Sequence, residues 1–499
     1  MKMKGRIRFR GRVFTGQPGK QIIAAKRTEY SHYVNQHFNK FKPTRLASQG
    51  WKHSRSCGDH FTINNTRGNP AFPKKSDQGS EHNESVTSFS DFHLHESLIN
   101  GLASMEIEQP TNVQILTIPQ VMRGHNVLCA AETGSGKTLS YLLPMLHQMK
   151  TETEKLGMKS AVGLPRALVL LPARELAEQV LAVARRLSKF TELSANIVEG
   201  GRRHKTLHST SDSPLDLMVA TPGALLKCVT SGWIHMDNVR YVVIDEIDTM
   251  LDDSFRTMTL NLLKRISIRH SADNTENAQV IMIGATMPKN AEEMLDNVVE
   301  DGSLVTVKTT HLHHLMPHIP QKFIRIHSKD KAGKTLELVK RDVKCKIPVV
   351  VFCNKIDSCN WLYQFLKENN VSALKLNGGM NHKERYGLFQ QFQKGIQNVL
   401  VCTDIGSRGL DTIRAQHVIN FDFPHGMSDY IHRAGRVGRV GSQTSGHVTS
   451  LIVHKWDVDL VHKIERSVRM REVLPNVDAN IKAKLLRISQ AQVLEDELF

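Results

Sequence analysis

The sequence predicts an α/β chain of two tandem domains, each a parallel sheet covered by helices on both faces. Two observations predict it. Short apolar, β-branched runs recur, each followed by a turn and a helical stretch: Asn126–Ala130, Ala167–Leu171, Leu217–Ala220, Tyr241–Ile244 and Val280–Ile283. After a His-rich break near 309–320 a second set begins: Val349–Phe352, Ala373–Leu376, Asn398–Val401, His417–Asn420 and His447–Leu451. Strands without polar alternation are buried on both faces, and their alternation with helices implies parallel sheets. Ligands of such sheets bind beyond the carboxyl ends of the strands, so the loops there should hold the chemistry.

Composition bounds the partners. The net charge is +17, from 66 Lys+Arg against 49 Asp+Glu, which favours a polyanion, nucleic acid before a membrane surface. No run reaches the ~18–20 apolar residues of a membrane span. The seven cysteines form no CxxC pair or zinc spacing and are expected as reduced thiols, several of them in apolar runs.

The boundaries follow from texture. Residues 1–85 are expected as a basic N-terminal extension: residues 1–58 carry fourteen Lys/Arg and one acid, Glu29. The Arg-rich, acid-free start has the composition of a transit peptide, with an RNA-binding arm or a nuclear signal as alternatives. Residues 59–85 are expected as a disordered linker. Domain 1 spans 86–310, an interdomain linker 311–321, domain 2 322–475, and a mixed-charge tail 476–499. His311, His313, His314 and His318 are taken as linker, not as a metal tract, because no Cys or acid lies near.

Three loops carry the chemistry. Ala131-Glu132-Thr133-Gly134-Ser135-Gly136-Lys137-Thr138 lies between a strand and a helix, the context of a phosphate-binding loop, with Ala131 in place of the usual first glycine. Gly134 and Gly136 let backbone amides approach phosphate oxygens at a helix start. Lys137 supplies charge to the β/γ-phosphates, and the Thr138 hydroxyl can ligate Mg²⁺. A strand ends in Asp245-Glu246-Ile247-Asp248. Asp245 is the candidate Mg²⁺ ligand and Glu246 the base that orients the attacking water. His432-Arg433-Ala434-Gly435-Arg436-Val437-Gly438-Arg439 reads as a source of arginine fingers from domain 2. A guanidinium spreads charge over the γ-phosphoryl oxygens, and reaching it requires domain closure.

On these residues the chain resembles the DEAD-box RNA helicases, with Asp-Glu-Ile-Asp for the family's Asp-Glu-Ala-Asp, over roughly 86–475. The resemblance implies RecA-like domains, ATP and Mg²⁺ as cofactors, RNA as partner, and RNA-stimulated ATP hydrolysis. It implies an adenine site at Phe89 and Gln114. It implies RNA-backbone contacts at Pro172, Arg174, Gly201, Thr221, Pro222, Gly223, Arg385 and Thr403, and a ribose contact at Asp411. Asp248, Gly284, Ala285 and Thr286 would couple ATP to unwinding, with Arg436 and Arg439 as fingers and His432 touching Asp248. Three departures stand out: Ala224 replaces an RNA-contacting Arg, Gly284 a Ser, and His382 a Gln. They bear on unwinding rather than on hydrolysis, and leave an RNA clamp or assembly scaffold as the alternative.

Within the family the likeness is strongest to a mitochondrial member that assists large mitoribosomal subunit assembly. It rests on Leu46–Lys52, Asp59–Phe61, Cys129–Gly134, Ala220–Leu225, Gly284–Thr286 and Tyr430–Ser442. It implies a monomer in the mitochondrial matrix, the nucleus being second, acting on ribosomal RNA and assembly intermediates.

Overall fold

The computed structural model describes residues 8–9, 12–13, 20–33, 45–73, 88–198, 214–286, 299–404 and 412–477, less positions 67, 159, 252, 275, 301, 381, 443, 445 and 476. The candidates Gly201 and Asp411 lie outside the described residues, as do the His382 side chain and nearly all of the tail from 478.

The N-terminal segment supplies strands β1 (Gln21–Ala25), β2 (His32–Tyr33) and β3 (His60–Ile63). Domain 1 opens with a 3-10 turn at Phe89–Phe92 and a helix at Glu96–Ala103, followed by helix α1 (Asn112–Met122) and strand β4 (Asn126–Ala130), then α2 (Lys137–Leu156), β5 (Ala167–Leu170) and α3 (Arg174–Thr191). It continues through β6 (Ala195–Val198), β7 (Leu217–Ala220), α4 (Pro222–Thr230), β8 (Tyr241–Asp245), α5 (Ile247–Met250), β9 (Gln279–Gly284) and β10 (Leu304–Lys308). Domain 2 runs β11 (Gln321–Arg325), α6 (Ser328–Lys344), β12 (Val349–Cys353), α7 (Ile356–Glu368), β13 (Leu374–Leu376) and α8 (His382–Gln393). It ends with β14 (Val399–Thr403), β15 (His417–Asn420), α9 (Met427–Ala434), β16 (His447–Ile452) and α10 (Lys455–Met470).

The first sheet has the order β10-β4-β9-β8-β5-β7-β6, all parallel. The second has the order β13-β14-β12-β15-β16-β11-β3-β1-β2, parallel through β11 and antiparallel beyond it. From β4 and from β11 the two sheets repeat one permutation: first strand, then sixth, fifth, second, fourth and third. The domains are therefore two copies of one layout. Hydrophobic clusters fill both faces of each sheet, as the uniformly apolar strands require.

The N-terminal segment corrects the sequence reading. Residues 20–33 and 45–66 are not a detached extension, and 59–66 are not a disordered linker. Strand β3 pairs with β11, and Ile23, Trp51 and Phe61 sit fully buried in a domain 2 cluster with Phe323 and Tyr430. The physical reason is an open edge. In domain 1 the parallel β10 covers the first strand, whereas in domain 2 the N-terminal strands cover β11, which would otherwise present unpaired backbone groups. The pattern was present in His60-Phe61-Thr62-Ile63, which alternates half-buried and buried, but the basic composition around it obscured it. Among the described residues no helix is long and apolar enough to cross a membrane.

Candidate active site and nucleic-acid interface

The phosphate loop is residues 131–136, between β4 and α2. Gly134 and Gly136 have φ of 74° and 92°, the left-handed region that only glycine adopts at no cost. Each is also crowded. A Cβ on Gly136 would lie 2.8 Å from the Gln114 side chain, and one on Gly134 2.6 Å from Arg439 Cγ. Gln114 accepts from Thr111 N–H at 2.9 Å and donates to Gly136 O at 3.0 Å, so the start of α1 is fastened to the loop. Phe89 is buried in the domain 1 core against Phe92, with ring centroids 6.2 Å apart.

Lys137 donates to the carbonyls of Ala131 and Glu132, both at 2.9 Å. Burial lowers its pKa against the pull of Asp245, Glu246 and Asp248. Asp245 at the end of β8 accepts from Tyr141 OH at 3.0 Å and from Glu246 N–H at 2.8 Å. Burial, reinforced by Glu246, pushes its carboxyl up to about 6. A buried carboxylate held against its preference, bonded to Tyr141 one turn of α2 beyond Thr138, suits Mg²⁺, which takes one or two protein oxygens and fills its shell with phosphate and water. Glu246 has φ 54° and ψ 49°, a backbone state costing a non-glycine of order 1 kcal/mol and typical of functional sites.

Asp248 joins three elements. Its Oδ2 accepts from Thr286 N–H (3.1 Å) and Oγ1–H (2.7 Å), and His432 Nε2 of domain 2 lies 3.4 Å away. Burial alone would raise its pKa, but the His432 and Thr286 hydrogen bonds hold it well below the usual carboxylate range. Gly284 O accepts from Ala131 N–H at 3.1 Å. No Cβ fits at Gly284: it would meet Ile247 Cγ2 and Thr286 O, both at 2.8 Å. The missing serine hydroxyl is thus a consequence of backbone packing here.

Domain 2 closes on this loop. Val440 N–H donates to Gly134 O at 2.9 Å, and a Cβ on Gly435 would lie 1.6 Å from Thr133 Oγ1. Arg436 is buried, with Nε donating to His432 O at 3.1 Å, and Arg439 Nε donates to Gly435 O at 3.0 Å. Sequence reasoning missed several supports. His318 Nε2 lies 2.9 Å from Gly438 O, so the His-rich linker anchors the finger loop, and Asn69 of the N-terminal segment reaches the same carbonyl at 3.4 Å. Tyr141 was findable, since it stands four residues after Lys137 on one face of α2.

The RNA candidates lie at carboxyl strand ends. Pro172 and Arg174 follow β5, and Thr221 caps α4 with Pro222 at its first position and Gly223 next. In domain 2, Arg385 on α8 reaches across to Glu175 of α3 at 3.4 Å. Thr403 ends β14 with a buried hydroxyl that has no hydrogen-bond partner among the described residues. All seven cysteines are free thiols, five of them buried.

The chain matches two families, DEAD/DEAH box helicase over residues 111–294 and helicase conserved C-terminal domain over 330–441. It is 41% identical to the probable ATP-dependent RNA helicase DDX28 of Mus musculus, covering 93% of this chain and 87% of the relative. To the protein of the same name in Homo sapiens it is 40% identical over 94% and 88%. To DEAD-box ATP-dependent RNA helicase 39 of Arabidopsis thaliana it is 33% identical over 79% and 63%. Among solved structures it resembles S. cerevisiae Dbp5 bound to RNA and ADP BeF3 (TM-score 0.65, 22% identity, 81% of this chain and 99% of that one). DEAD-box helicase Mss116 bound to ssRNA and UDP-BeF gives a TM-score of 0.67 at 22% identity, over 77% and 79%. At such identities these likenesses carry the two-domain RecA-like fold.

Proposed function

The chain belongs to the DEAD/DEAH box helicase family, as an ATP-dependent RNA helicase with RNA-stimulated ATPase activity, and on that premise we propose that it clamps single-stranded RNA between its domains, pries short duplexes apart and hydrolyses ATP to let go. The observation that carries this reading is the contact of the Gly435–Val440 loop with the phosphate loop. Such a contact makes a complete site conditional on closure. In this reading the 131–136 amides and Lys137 hold the phosphates, and Gln114 and Phe89 form the adenine site. Asp245 and Thr138 hold Mg²⁺, which when bound neutralises charge on the phosphates. Glu246 orients the water, and Arg436 and Arg439 face the γ-phosphate. Thr286 and His432 meet at Asp248, so nucleotide state and closure are read by one carboxylate. Pro172, Arg174, Thr221, Pro222, Gly223, Arg385 and Thr403 grip the RNA backbone, which positions a strand without reading its sequence.

We assign the protein to mitochondria and to large ribosomal subunit assembly, with ribosomal RNA as its substrate. The support is the composition of the start and the likeness over Leu46–Lys52 and Tyr430–Ser442. Because Gln21 already pairs in the domain 2 sheet, the targeting signal is confined to residues 1–19, which hold six Lys/Arg and no acid. Ala224, with no guanidinium for RNA, favours a second reading as an RNA clamp with little unwinding. Strand displacement measured beside ATPase decides: turnover with displacement supports the helicase cycle, and turnover without it leaves the clamp.

A further inference from the structure

We propose that domain 2 carries a base-stacking subsite for single-stranded RNA flanking the cleft, in a cavity beyond the carboxyl ends of β12, β15 and β16. This rests on the reading of Arg385 and Thr403 as RNA contacts, which sets the strand running along that sheet edge.

The cavity occupies the place in domain 2 where domain 1 has its phosphate loop and Asp245, since the two sheets share one strand order. The ligand class must differ. Between β4 and α2 six residues form a loop of amides, whereas between β11 and α6 only Ile326 and His327 intervene. A polyphosphate has no cradle there. Lys331, in the first turn of α6, instead pairs with Asp422.

What remains is a cavity of about 120 Å³ walled by aromatic and donor groups, among them Asn354, Lys355, Phe421, His425, His454 and Trp456. Whole-ligand pockets run ~300–1,000 Å³, so this one takes a single base and leaves its ribose and phosphate outside. His454 and Trp456 stack 4.3 Å apart at 6°. The Lys331 ammonium lies 4.0 Å over the Phe421 ring. Trp361 on α7, 52% exposed, stacks on Phe421 at 6.4 Å and on Phe365 at 5.2 Å. An aromatic row thus leads from solvent to the cavity with lysines beside it, the arrangement that binds single strands with little regard to sequence.

The cavity is also within reach of the cleft. Strand β12 is the neighbour of β14, and β15 the neighbour of β12. At ~4.8 Å between strands, the cavity starts one strand spacing, about 5 Å, from the strand that Thr403 ends, and extends over the next two strands. A hydrogen-bonded path joins them: Asn354, 3.2 Å from His425, accepts from Arg433 at 2.7 Å, and Arg433 pairs at 2.6 Å with Asp404, the residue after Thr403. A free mononucleotide shares the base chemistry, so the experiment separates the two sources.

The test uses the full chain with ADP–beryllium fluoride and fluorescence anisotropy. The probes are a labelled oligouridine that just fills the cleft and the same strand lengthened at one end or the other. Lengthening at one end should tighten binding about 5- to 150-fold, the worth of one base–aromatic stack. Trp456→Leu and Trp361→Ala should each cut that gain while leaving short-strand affinity and short-strand ATPase unchanged. In the unaltered protein, 4-thiouridine in the added segment should crosslink to residues 421–425 or 453–457. A gain untouched by both substitutions, equal losses on short and long strands, or crosslinks only elsewhere would overturn the proposal. Uridine monophosphate bound at Trp456 with no effect of strand length would give the cavity to a free nucleotide and overturn it too. Failure of the short strand itself to bind would instead refute the RNA contacts on which the direction rests.

Discussion

At the scale of single residues, Glu246 is set by its backbone. Held at φ 54°, it follows the metal candidate Asp245 and opens α5. Glu246→Gln keeps shape and hydrogen bonding but removes the base. ATP binding should persist, turnover should be lost, and RNA should dissociate slowly because the closed state cannot hydrolyse its latch. Wild-type turnover would show that another group activates the water. Asp245 makes a pH prediction. Burial pushes its carboxyl up to about 6 in the metal-free fold, above the ordinary 3.8, so as pH falls through 6 a proton competes with Mg²⁺ for it. At limiting Mg²⁺, ATPase should decline below about pH 6, and saturating Mg²⁺ should restore it. For stability the sign is opposite in metal-free protein: the contribution is full below about 4 and is lost as pH rises through 6. Thermal melts of wild type against Asp245→Asn across pH 4–7 read this directly, and parallel curves would count against it. Gly284→Ser restores the usual family residue, yet its Cβ would press on Ile247 and on the Thr286 carbonyl at 2.8 Å. We expect a loss of about 1–3 kcal/mol in urea unfolding, with weaker RNA-stimulated turnover. An unchanged midpoint and rate would mean the α5 turn yields.

At the scale of elements, the N-terminal strands belong to domain 2. Trp51 is 1% exposed, its ring centroid 5.5 Å from that of Phe61, which stacks on Phe323 at 5.0 Å. Trp51→Ala should cost about 3–5 kcal/mol, the usual range for a large aromatic removed from a core. Deleting residues 1–58 should therefore destabilise domain 2, whereas deleting 1–19 should abolish import and leave the melting temperature in place. Calorimetry of both truncations, with organelle import of each, tests the boundary. Equal melting temperatures would return residues 20–58 to the status of a detachable arm.

At the scale of the whole molecule, catalysis depends on bringing together residues about 300 apart in the chain. Arg436 lies in domain 2 and the phosphate loop in domain 1, and they adjoin through the Gly435–Gly134 contacts. Arg436→Ala should leave ATP affinity of the RNA-free enzyme nearly unchanged and reduce RNA-stimulated single-turnover hydrolysis by about 10³–10⁵-fold. Arg436→Lys should rescue poorly, because an ammonium lacks the planar fork. Retention of most of the RNA stimulation in Arg436→Ala would make the loop a plain binding surface.

The sequence by itself determined the two sheets, their central strands and the residue types at their carboxyl ends. Uniformly apolar runs are a local signal, and the phosphate loop, Asp245-Glu246 and the finger loop are contiguous in the chain. The edge strands β6 and β10, and β11 at the start of domain 2, were not legible, being in part polar, nor were β1–β3 within a basic segment. Only tertiary structure decided that Gly284 has no space for a side chain, that Asp248 is shared between Thr286 and His432, and that the N-terminal segment closes the domain 2 sheet. Each of these depends on groups far apart in sequence approaching within a few ångströms. Such distances follow from how distant segments pack within each domain and meet at the cleft, which no local pattern encodes.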